Sequence, residues 1–273
     1  MLRRTLNLGI VSHVDAGKTT LTERLLFAVG VIDEVGSVDK GTTQTDSLPL
    51  EQQRGITIKA AVVSLAIDNV TVNLIDTPGH PDFIAEVERV LAVLDGAVLV
   101  ISAVEGVQPQ TRILMRALER LRIPTLIFVN KIDRAGADYR RVLDDISGRL
   151  TPATIAMVSV KGEGTRGAVV AARTESDRLV DTLAEHDDAL LAAYVNGESG
   201  VSPQRLHDAL AAQTRQCLVH PLFAGSSLAE SRNSWASESS RSRPTMLATR
   251  CGLLHSCGAV KAAQLSAAYL RGA

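Results

Sequence analysis

The chain has 273 residues, of which 45% are hydrophobic, and a formal net charge of −1. This apolar fraction is enough for the buried core of one large domain or two small ones. The near-neutral charge gives no electrostatic case for binding nucleic acid or an anionic membrane, although it does not exclude a local charged patch. The three cysteines all lie after residue 216, which excludes a disulfide framework and suits a reducing cytoplasm. The sequence has no apolar run of membrane-spanning length and no signal-peptide core in residues 1–30. These features predict a soluble, cytoplasmic protein.

Strand and helix patterns alternate through the first 150 residues. Continuous apolar runs predict buried strands at 5–11, 58–67, 70–76, 96–103 and 124–130. Helical spacing of apolar residues predicts helices between them, at 18–29, 82–94, 110–121 and 138–150. Asp68 and Asn69 mark a two-residue hairpin between the second and third strands. Buried strands separated by helices predict an α/β fold, with a mostly parallel sheet covered by helices on both faces.

The pattern is less regular over residues 151–216. An apolar run indicates a strand at 153–160, helical spacing indicates helices near 184–194 and 203–217, and the run 218–225 resembles a last edge or core strand. The composition then changes abruptly, since seven of the fifteen residues from 226 to 240 are serine. We therefore expect one α/β domain over residues 1–225, with a less regular segment at 151–216, and an aberrant, disordered tail over residues 226–273.

A phosphate-binding loop is indicated between the first strand and the first helix. The stretch SHVDAGKTT, residues 12–20, places Gly17, Lys18 and Thr19 as the phosphate-loop pattern requires, although Ser12 replaces the first glycine. In such a loop backbone N–H groups and the helix N-terminus cradle phosphates, the lysine reaches the β- and γ-phosphates, and the hydroxyl ligates Mg²⁺. The alternative is an ordinary strand-to-helix turn with a solvated lysine.

Two further motifs follow the ends of buried strands. DTPGH, residues 76–80, supplies a second carboxylate, Asp76, that can hold magnesium through water. NKID, residues 130–133, lies at the carboxyl edge of the sheet, where open α/β sheets bind ligands. Asp133 there can accept hydrogen bonds from N1–H and the exocyclic amine of guanine, which adenine cannot supply. Each motif alone is weak, but three in this order predict a P-loop NTPase-type fold that binds GTP and GDP.

With these motifs the chain resembles the GTPase domain of the translational GTPases related to elongation factor G. The segments 36–58, 73–83 and 93–114 resemble tetracycline-resistance ribosomal protection proteins more closely than elongation factor G itself. The motif DKGTT-TD in the first segment is the strongest part of this resemblance. The resemblance runs from residue 5 to about residue 225 and ends where the composition changes.

The resemblance implies a monomeric, Mg²⁺-dependent GTPase that acts at the factor-binding site of the ribosome, without a membrane or DNA partner. Two alternatives remain, since the family members are far longer than this chain. One is an elongation-factor-like translocase, and the other is a nucleotide-binding remnant with no catalytic output.

The resemblance also implies a role for the long polar loop at residues 40–58. It corresponds to the family's first switch, and Thr57 in its RGIT stretch would complete magnesium coordination when the γ-phosphate is present. His80, directly after Gly79, is expected to orient the attacking water. Ser226 and Ser227 occupy the place of the family's last guanine loop, which normally reads Ser-Ala.

The predicted site residues fall into three groups. His80 is the expected catalytic residue, and Thr19, Thr57 and Asp76 are the expected magnesium ligands. The expected nucleotide-binding residues come from the four loops: Ser12, His13, Val14, Asp15, Ala16, Gly17, Lys18, Thr19, Thr20, Asp76, Thr77, Pro78, Gly79, His80, Asn130, Lys131, Asp133 and Ser226.

Some residues have competing interpretations. His13 is interpreted as loop packing, with a catalytic role as the alternative. Asp15 either supports the loop or a monovalent cation, or is solvated. Lys131 is expected to cover the base with its aliphatic stem, the alternative being a surface lysine. The cysteines and histidine over 251–257 have a spacing that fits no standard zinc site.

The tail carries a separate hypothesis. The serine-rich stretch 226–240 is followed by residues 241–273, which have no sustained helical or strand period. The change begins where the family resemblance stops, inside the guanine loop. We hypothesise that a frameshift near codon 226 ended the family reading frame and that residues 227–273 are out-of-frame translation. The domain then lacks the amphipathic helix expected next, so one face of the sheet would be uncovered. We expect a marginal domain and no tetracycline protection from such a chain.

Overall fold

The computed structural model describes residues 4–36, 61–67, 70–77, 84–173, 177–195 and 202–227. Within these residues the chain forms nine strands: β1 (Arg4–Ser12), β2 (Ala61–Ile67), β3 (Val70–Asp76), β4 (Gly96–Ser102), β5 (Thr125–Asn130), β6 (Thr154–Ala156), β7 (Val158–Lys161), β8 (Val169–Ala172) and β9 (His220–Ala224). The same residues form seven helices: α1 (Lys18–Ala28), α2 (Ile84–Leu91), α3 (Pro109–Arg120), α4 (Tyr139–Arg149), α5 (Asp177–Ala184), α6 (Asp188–Val195) and α7 (Pro203–Arg215).

Seven of these strands form one sheet, in the order β2-β3-β1-β4-β5-β9-β6. From β3 to β6 every neighbouring pair is parallel. β2 is antiparallel to β3, with Ile67 opposite Val70, as expected for the predicted hairpin. The mostly parallel α/β sheet predicted from the sequence is therefore confirmed. Among the described residues, no helix has the length and apolar character needed to cross a membrane.

The middle of the sheet is covered on both faces. Every residue of β4 and β5 is buried, and successive side chains of a strand point to opposite faces. Helices supply the covering side chains at helical spacing. Those of α1 are Leu21, Leu25 and Leu26, and those of α3 are Leu114, Met115 and Leu118. This packing fixes the ends of the strands, and those ends carry the predicted motifs.

The region after residue 150 departs from the prediction. The apolar run 153–160 is two strands that meet at Met157. The backbone N–H of Met157 donates to the carbonyl of Leu222 on β9 at 2.8 Å, and its carbonyl accepts from the N–H of Arg173, directly after β8, at 3.0 Å. β6 then pairs with β9, whereas β7 pairs with β8 in a separate two-stranded antiparallel sheet. The sequence did not predict β8. β9, predicted as an edge or core strand, lies inside the sheet between β5 and β6.

The helix predicted near 184–194 is wrong in extent. α5 ends at Ala184 and α6 begins at Asp188. Between them, the carboxylate of Asp187 accepts a hydrogen bond from the N–H of Leu190 at 2.9 Å, which is the arrangement of a helix N-cap. These helices, α7 and β6 enclose a second apolar cluster that contains Ile155, Leu183, Leu190, Leu206, Leu210 and Val219.

Candidate functional site

The three predicted motifs and the last loop meet at one edge of the sheet. β1 ends at Ser12, β3 at Asp76, β5 at Asn130 and β9 at Ala224. These strands are parallel and lie in the order β3-β1-β4-β5-β9, so their carboxyl ends share an edge. Open α/β sheets bind ligands at this edge. The fold therefore brings together segments from near the start of the chain and from the far end of the sheet-forming region.

The phosphate loop has a backbone that only certain residues adopt. Gly17 has a φ of 83° and directly precedes α1. A Cβ atom added there would lie 2.5 Å from Nδ2 of Asn130, so both its conformation and its surroundings require glycine. α1 has no side-chain cap and no acidic residue in its first turn. Its first N–H groups and the positive end of its dipole therefore suit an anion.

Lys18 and Asp76 form an ion pair at the centre of the site. Their side chains are 6% and 1% exposed. The pair joins the first residue of α1 to the last residue of β3. The fold therefore holds two buried, opposite charges next to the predicted phosphate-binding loop. Lys18 and Asp76, predicted from separate motifs, are therefore brought into direct contact.

Neighbouring hydroxyls fix the two loops. The hydroxyl of Thr77 donates to the carbonyl of Ile10 at 2.9 Å and holds the chain directly after Asp76. The hydroxyl of Ser12 donates to the carbonyl of His13 at 2.9 Å. Ser12 and Ala16 are buried, Val14, Thr19 and Thr20 are half-buried, and Asp15 is exposed with a φ of 62°. Thr19 and Asp76 offer oxygen atoms, the donors that magnesium prefers.

His13 packs the phosphate loop against α3. Its Nδ1 lies 3.0 Å from the hydroxyl of Thr111, and that hydroxyl already accepts from the N–H of Gln108 at 3.3 Å. Because a hydroxyl can both donate and accept, the tautomer of the imidazole decides which of the two groups donates. The side chain is 4% exposed, and burial lowers the pKa of His13 to about 4. The interpretation of His13 as loop packing agrees with these contacts.

Asn130 ties two loops together. Its Nδ2 donates to the carbonyl of Ala16 at 2.9 Å, which links the end of β5 to the phosphate loop. Its Oδ1 accepts from the N–H of Ser227 at 3.1 Å, and its Nδ2 lies 3.2 Å from the Ser227 hydroxyl. Asn130 has no exposed surface, so its contacts in this structure are made within the protein.

Lys131 and Asp133 lie on the exposed side of the same loop. Lys131 has a φ of 63°, and its ammonium pairs with Glu105 at 3.4 Å. Both side chains are partly exposed, so the pair is weak and leaves Lys131 able to move over a ligand. Asp133 is half-buried. Its carboxylate is the acceptor that the sequence assigned to guanine.

The loop after β9 completes the edge. Ser226 and Ser227 are both buried, and the backbone carbonyl of Ser227 accepts from Nε of Arg24 on α1 at 3.1 Å. Ser226 was predicted as a site residue. Ser227 and Arg24 were not, and the same is true of Thr111. The match of Ser226 and Ser227 to the family's guanine loop was the one sequence signal that pointed to Ser227.

Several predicted features lie outside the described residues. They are the switch segment 40–58 with Thr57, the stretch Pro78 to His80, and the tail 228–273. The roles of Thr57 and His80, and the frameshift hypothesis, therefore stay predictions. Among the described residues, no group of three or more His, Cys, Asp or Glu side chains could hold a metal ion. The zinc alternative at 251–257 falls in the tail.

The family is decided by comparison with known proteins. The family described as the elongation factor Tu GTP binding domain matches residues 3–238. The chain belongs to this family. Membership of a GTP-binding family implies that the domain binds a guanine nucleotide, and the predicted resemblance is confirmed.

Within this family, the chain is similar to tetracycline resistance proteins. An oxytetracycline resistance protein from Streptomyces rimosus is 61% identical over 82% of this chain and 34% of its own length. Tetracycline resistance protein TetM from Streptomyces lividans is 54% identical over 82% of this chain and 35% of its own length. A crystal structure of a Thermus thermophilus protein superposes with a TM-score of 0.73 at 28% identity, covering 83% of this chain and 38% of the other. The chain spans about a third of the length of the curated relatives it matches.

Proposed function

We propose that this chain hydrolyses GTP to GDP and phosphate, and that its nucleotide state controls binding to the ribosome. The observation that carries the proposal is the convergence of Lys18, Asp76 and Asn130 at the carboxyl edge of the sheet. The similarity to tetracycline resistance proteins favours a resistance-type relative over a translocase.

Different residues of the site would bind the phosphates and the base of the nucleotide. The N–H groups at the start of α1 hold the β- and γ-phosphates, and Lys18 exchanges its contact with Asp76 for contacts with phosphate oxygens. Asp133 accepts from N1–H and the amine of guanine. Lys131 leaves Glu105 and lies along the base. Catalysis is then mostly positioning and charge stabilisation, because phosphoryl transfer needs little covalent chemistry from the protein.

A magnesium ion fits the donors at the phosphate end. The Thr19 hydroxyl and the Asp76 carboxylate would hold it, and Thr57 would add a third oxygen when GTP is bound. When bound, the ion supplies positive charge that offsets the negative charge of the phosphates. Departure of Lys18 towards the phosphates leaves the Asp76 carboxylate for the ion or one of its waters. His80 would orient the water that attacks the γ-phosphate.

The partner and location follow from the family resemblance. We propose that the protein acts as a monomer in the cytoplasm, at the factor-binding site of the ribosome. The similarity to tetracycline resistance proteins supports the ribosome as the partner. The near-neutral charge of the chain gives no electrostatic reason to propose a membrane surface or DNA instead.

Ribosome-stimulated hydrolysis tests the proposal. Phosphate release from GTP is measured with the 273-residue chain, with and without ribosomes. We expect ribosomes to raise the rate, Lys18→Ala to abolish GTP binding, and His80→Ala to leave binding intact while lowering turnover. His186→Ala is the matched control, since His186 is an exposed histidine in the turn between α5 and α6. A parent chain that binds GTP but shows no hydrolysis with ribosomes would contradict the proposed activity.

A further inference from the structure

We propose that Ser227 sets the affinity of the site for guanine nucleotides, because its hydroxyl occupies an N–H of Asn130 that the base could otherwise use. The inference rests on the proposed function, since it requires the base to bind beside Asp133. The hydroxyl is a feature of this chain, as the matching loop of the family normally has alanine at this position.

The orientation of the Asn130 amide is fixed by its backbone partners. The N–H of Ser227 can only donate, and it lies 3.1 Å from Oδ1. The carbonyl of Ala16 can only accept, and it lies 2.9 Å from Nδ2. A flipped amide would put donor against donor and acceptor against acceptor. Nδ2 therefore faces both Ala16 and the Ser227 hydroxyl.

Both protons of Nδ2 are in use. One goes to the carbonyl of Ala16. The second has two acceptors in reach, the Ser227 hydroxyl at 3.2 Å and the carbonyl of Gly17 at 3.5 Å. The Gly17 carbonyl is the poorer choice, because the distance is at the limit for a hydrogen bond and it already accepts from the N–H of Leu21 at 3.0 Å. The Ser227 hydroxyl therefore takes the second proton.

A bound guanine base would compete for this proton. Asp133 pairs with the edge of the base that carries N1–H and the amine, so the acceptors N7 and O6 face the other side of the pocket. Asn130 has no exposed surface, and N7 can accept from its amide only by displacing the Ser227 hydroxyl. The exchange of one acceptor for another gives little net gain, since a hydrogen bond contributes only by its excess over the one it replaces.

The experiment compares GDP with 7-deaza-GDP, which lacks the N7 acceptor, by calorimetry on the 273-residue chain. We expect the parent to bind both within about twofold, because the second proton of Asn130 is taken. Ser227→Ala removes the competing hydroxyl and should bind GDP about three- to tenfold more tightly, the range for one net hydrogen bond. Its affinity for 7-deaza-GDP should not change.

Ser159→Ala is the matched control. It deletes the same oxygen from β7, where the hydroxyl lies 3.5 Å from the carbonyl of Ala171, and it should leave both affinities unchanged. If Ser227→Ala fails to fold, the parent still decides, because a parent that prefers GDP several-fold over 7-deaza-GDP overturns the proposal. Equal or weaker GDP binding by a folded Ser227→Ala also overturns it. If the parent binds neither nucleotide, the proposed function fails, and this inference fails with it.

Discussion

Lys18 and Asp76 form a buried ion pair that joins the start of α1 to the end of β3. The two side chains are 6% and 1% exposed, so each charge interacts with the other in a largely buried part of the protein. When GTP binds, Lys18 would contact the phosphates and Asp76 would contact magnesium or one of its waters. The ion pair therefore stabilises the site before the ligand binds, and nucleotide binding would replace it with separate contacts to phosphate and to magnesium.

The ion pair predicts non-additive effects on stability. In the absence of nucleotide, Lys18→Met and Asp76→Asn should each lower the free energy of unfolding by about 3 kcal/mol, because each removes the oppositely charged partner of a buried group. The double variant should lose clearly less than the sum, since it removes both charges. Urea denaturation of the four proteins measures this coupling. Losses that simply add would show that the two charges do not stabilise each other.

Asp133 predicts which base is selected. Asp133→Asn replaces an acceptor with an amide that can donate, and xanthine presents a carbonyl where guanine has its amine. The variant should shift preference from GTP towards XTP at least several-fold, because mismatched polar groups in a site are costly. Competition binding with XTP and GTP measures the ratio.

Asp138→Asn is the control for this change. Asp138 caps α4 by accepting from the N–H of Arg141 at 2.9 Å, and asparagine caps a helix about equally well. The control should keep the preference for GTP. An unchanged preference in Asp133→Asn would argue against the role of Asp133.

The segment 40–58 should respond to the nucleotide. A non-hydrolysable GTP analogue with magnesium should protect it from trypsin, which cleaves after Arg54, and GDP should leave it open. Before the segment, the N–H of Gly36 donates to the carboxylate of Glu23 on α1 at 3.1 Å. Lys18→Ala should abolish the difference between nucleotides. Mass spectrometry of the fragments measures the cleavage. Equal cleavage with the GTP analogue and with GDP would count against a switch.

His13 predicts a loss of stability in acid. Burial lowers its pKa from 6.5 to about 4 in the folded protein, so between these values the unfolded chain binds a proton that the folded chain does not. Stability from this group is therefore fully present above about pH 6.5 and declines as the pH falls to about 4, by about 3 kcal/mol. Burial also lowers the pKa of His220, which acts in the same direction.

Two variants separate the contribution of His13. His13→Gln should flatten the decline in the free energy of unfolding between pH 6.5 and 4, leaving the part due to His220. His186→Gln, at an exposed histidine, should keep the full decline. Chemical denaturation at a series of pH values gives both slopes. A His13→Gln protein with the slope of the parent would show that His13 does not titrate as its burial requires.

The parts of the fold that sequence predicts well are those where a local pattern determines the structure. β4 and β5 are continuous apolar runs, and their complete burial follows directly from that composition. The region after residue 150 is different. At Met157 the chain changes hydrogen-bond partners, from Leu222 on β9 to Arg173 after β8. Both partners are distant in sequence, and both halves of the run are apolar. The cap at Asp187, in contrast, was a readable local signal.

The candidate site divides in the same way. Gly17, Lys18, Asp76 and Asn130 are predictable because motif and strand end coincide. The contact between Asn130 and Ser227 was not predictable, because it joins two loops 97 residues apart and depends on the order of β5 and β9 in the sheet. The same holds for the contact of Arg24 with the Ser227 carbonyl.

Selective binding of guanine nucleotides is the central claim, and nucleotide competition on the parent chain tests it most directly. A fluorescent GDP is bound in the presence of magnesium and displaced with unlabelled GTP, GDP or ATP. The account predicts displacement by GTP and GDP at concentrations at least about a hundredfold lower than ATP requires, because adenine lacks both donors that Asp133 accepts. Displacement by ATP as readily as by GTP would contradict the account.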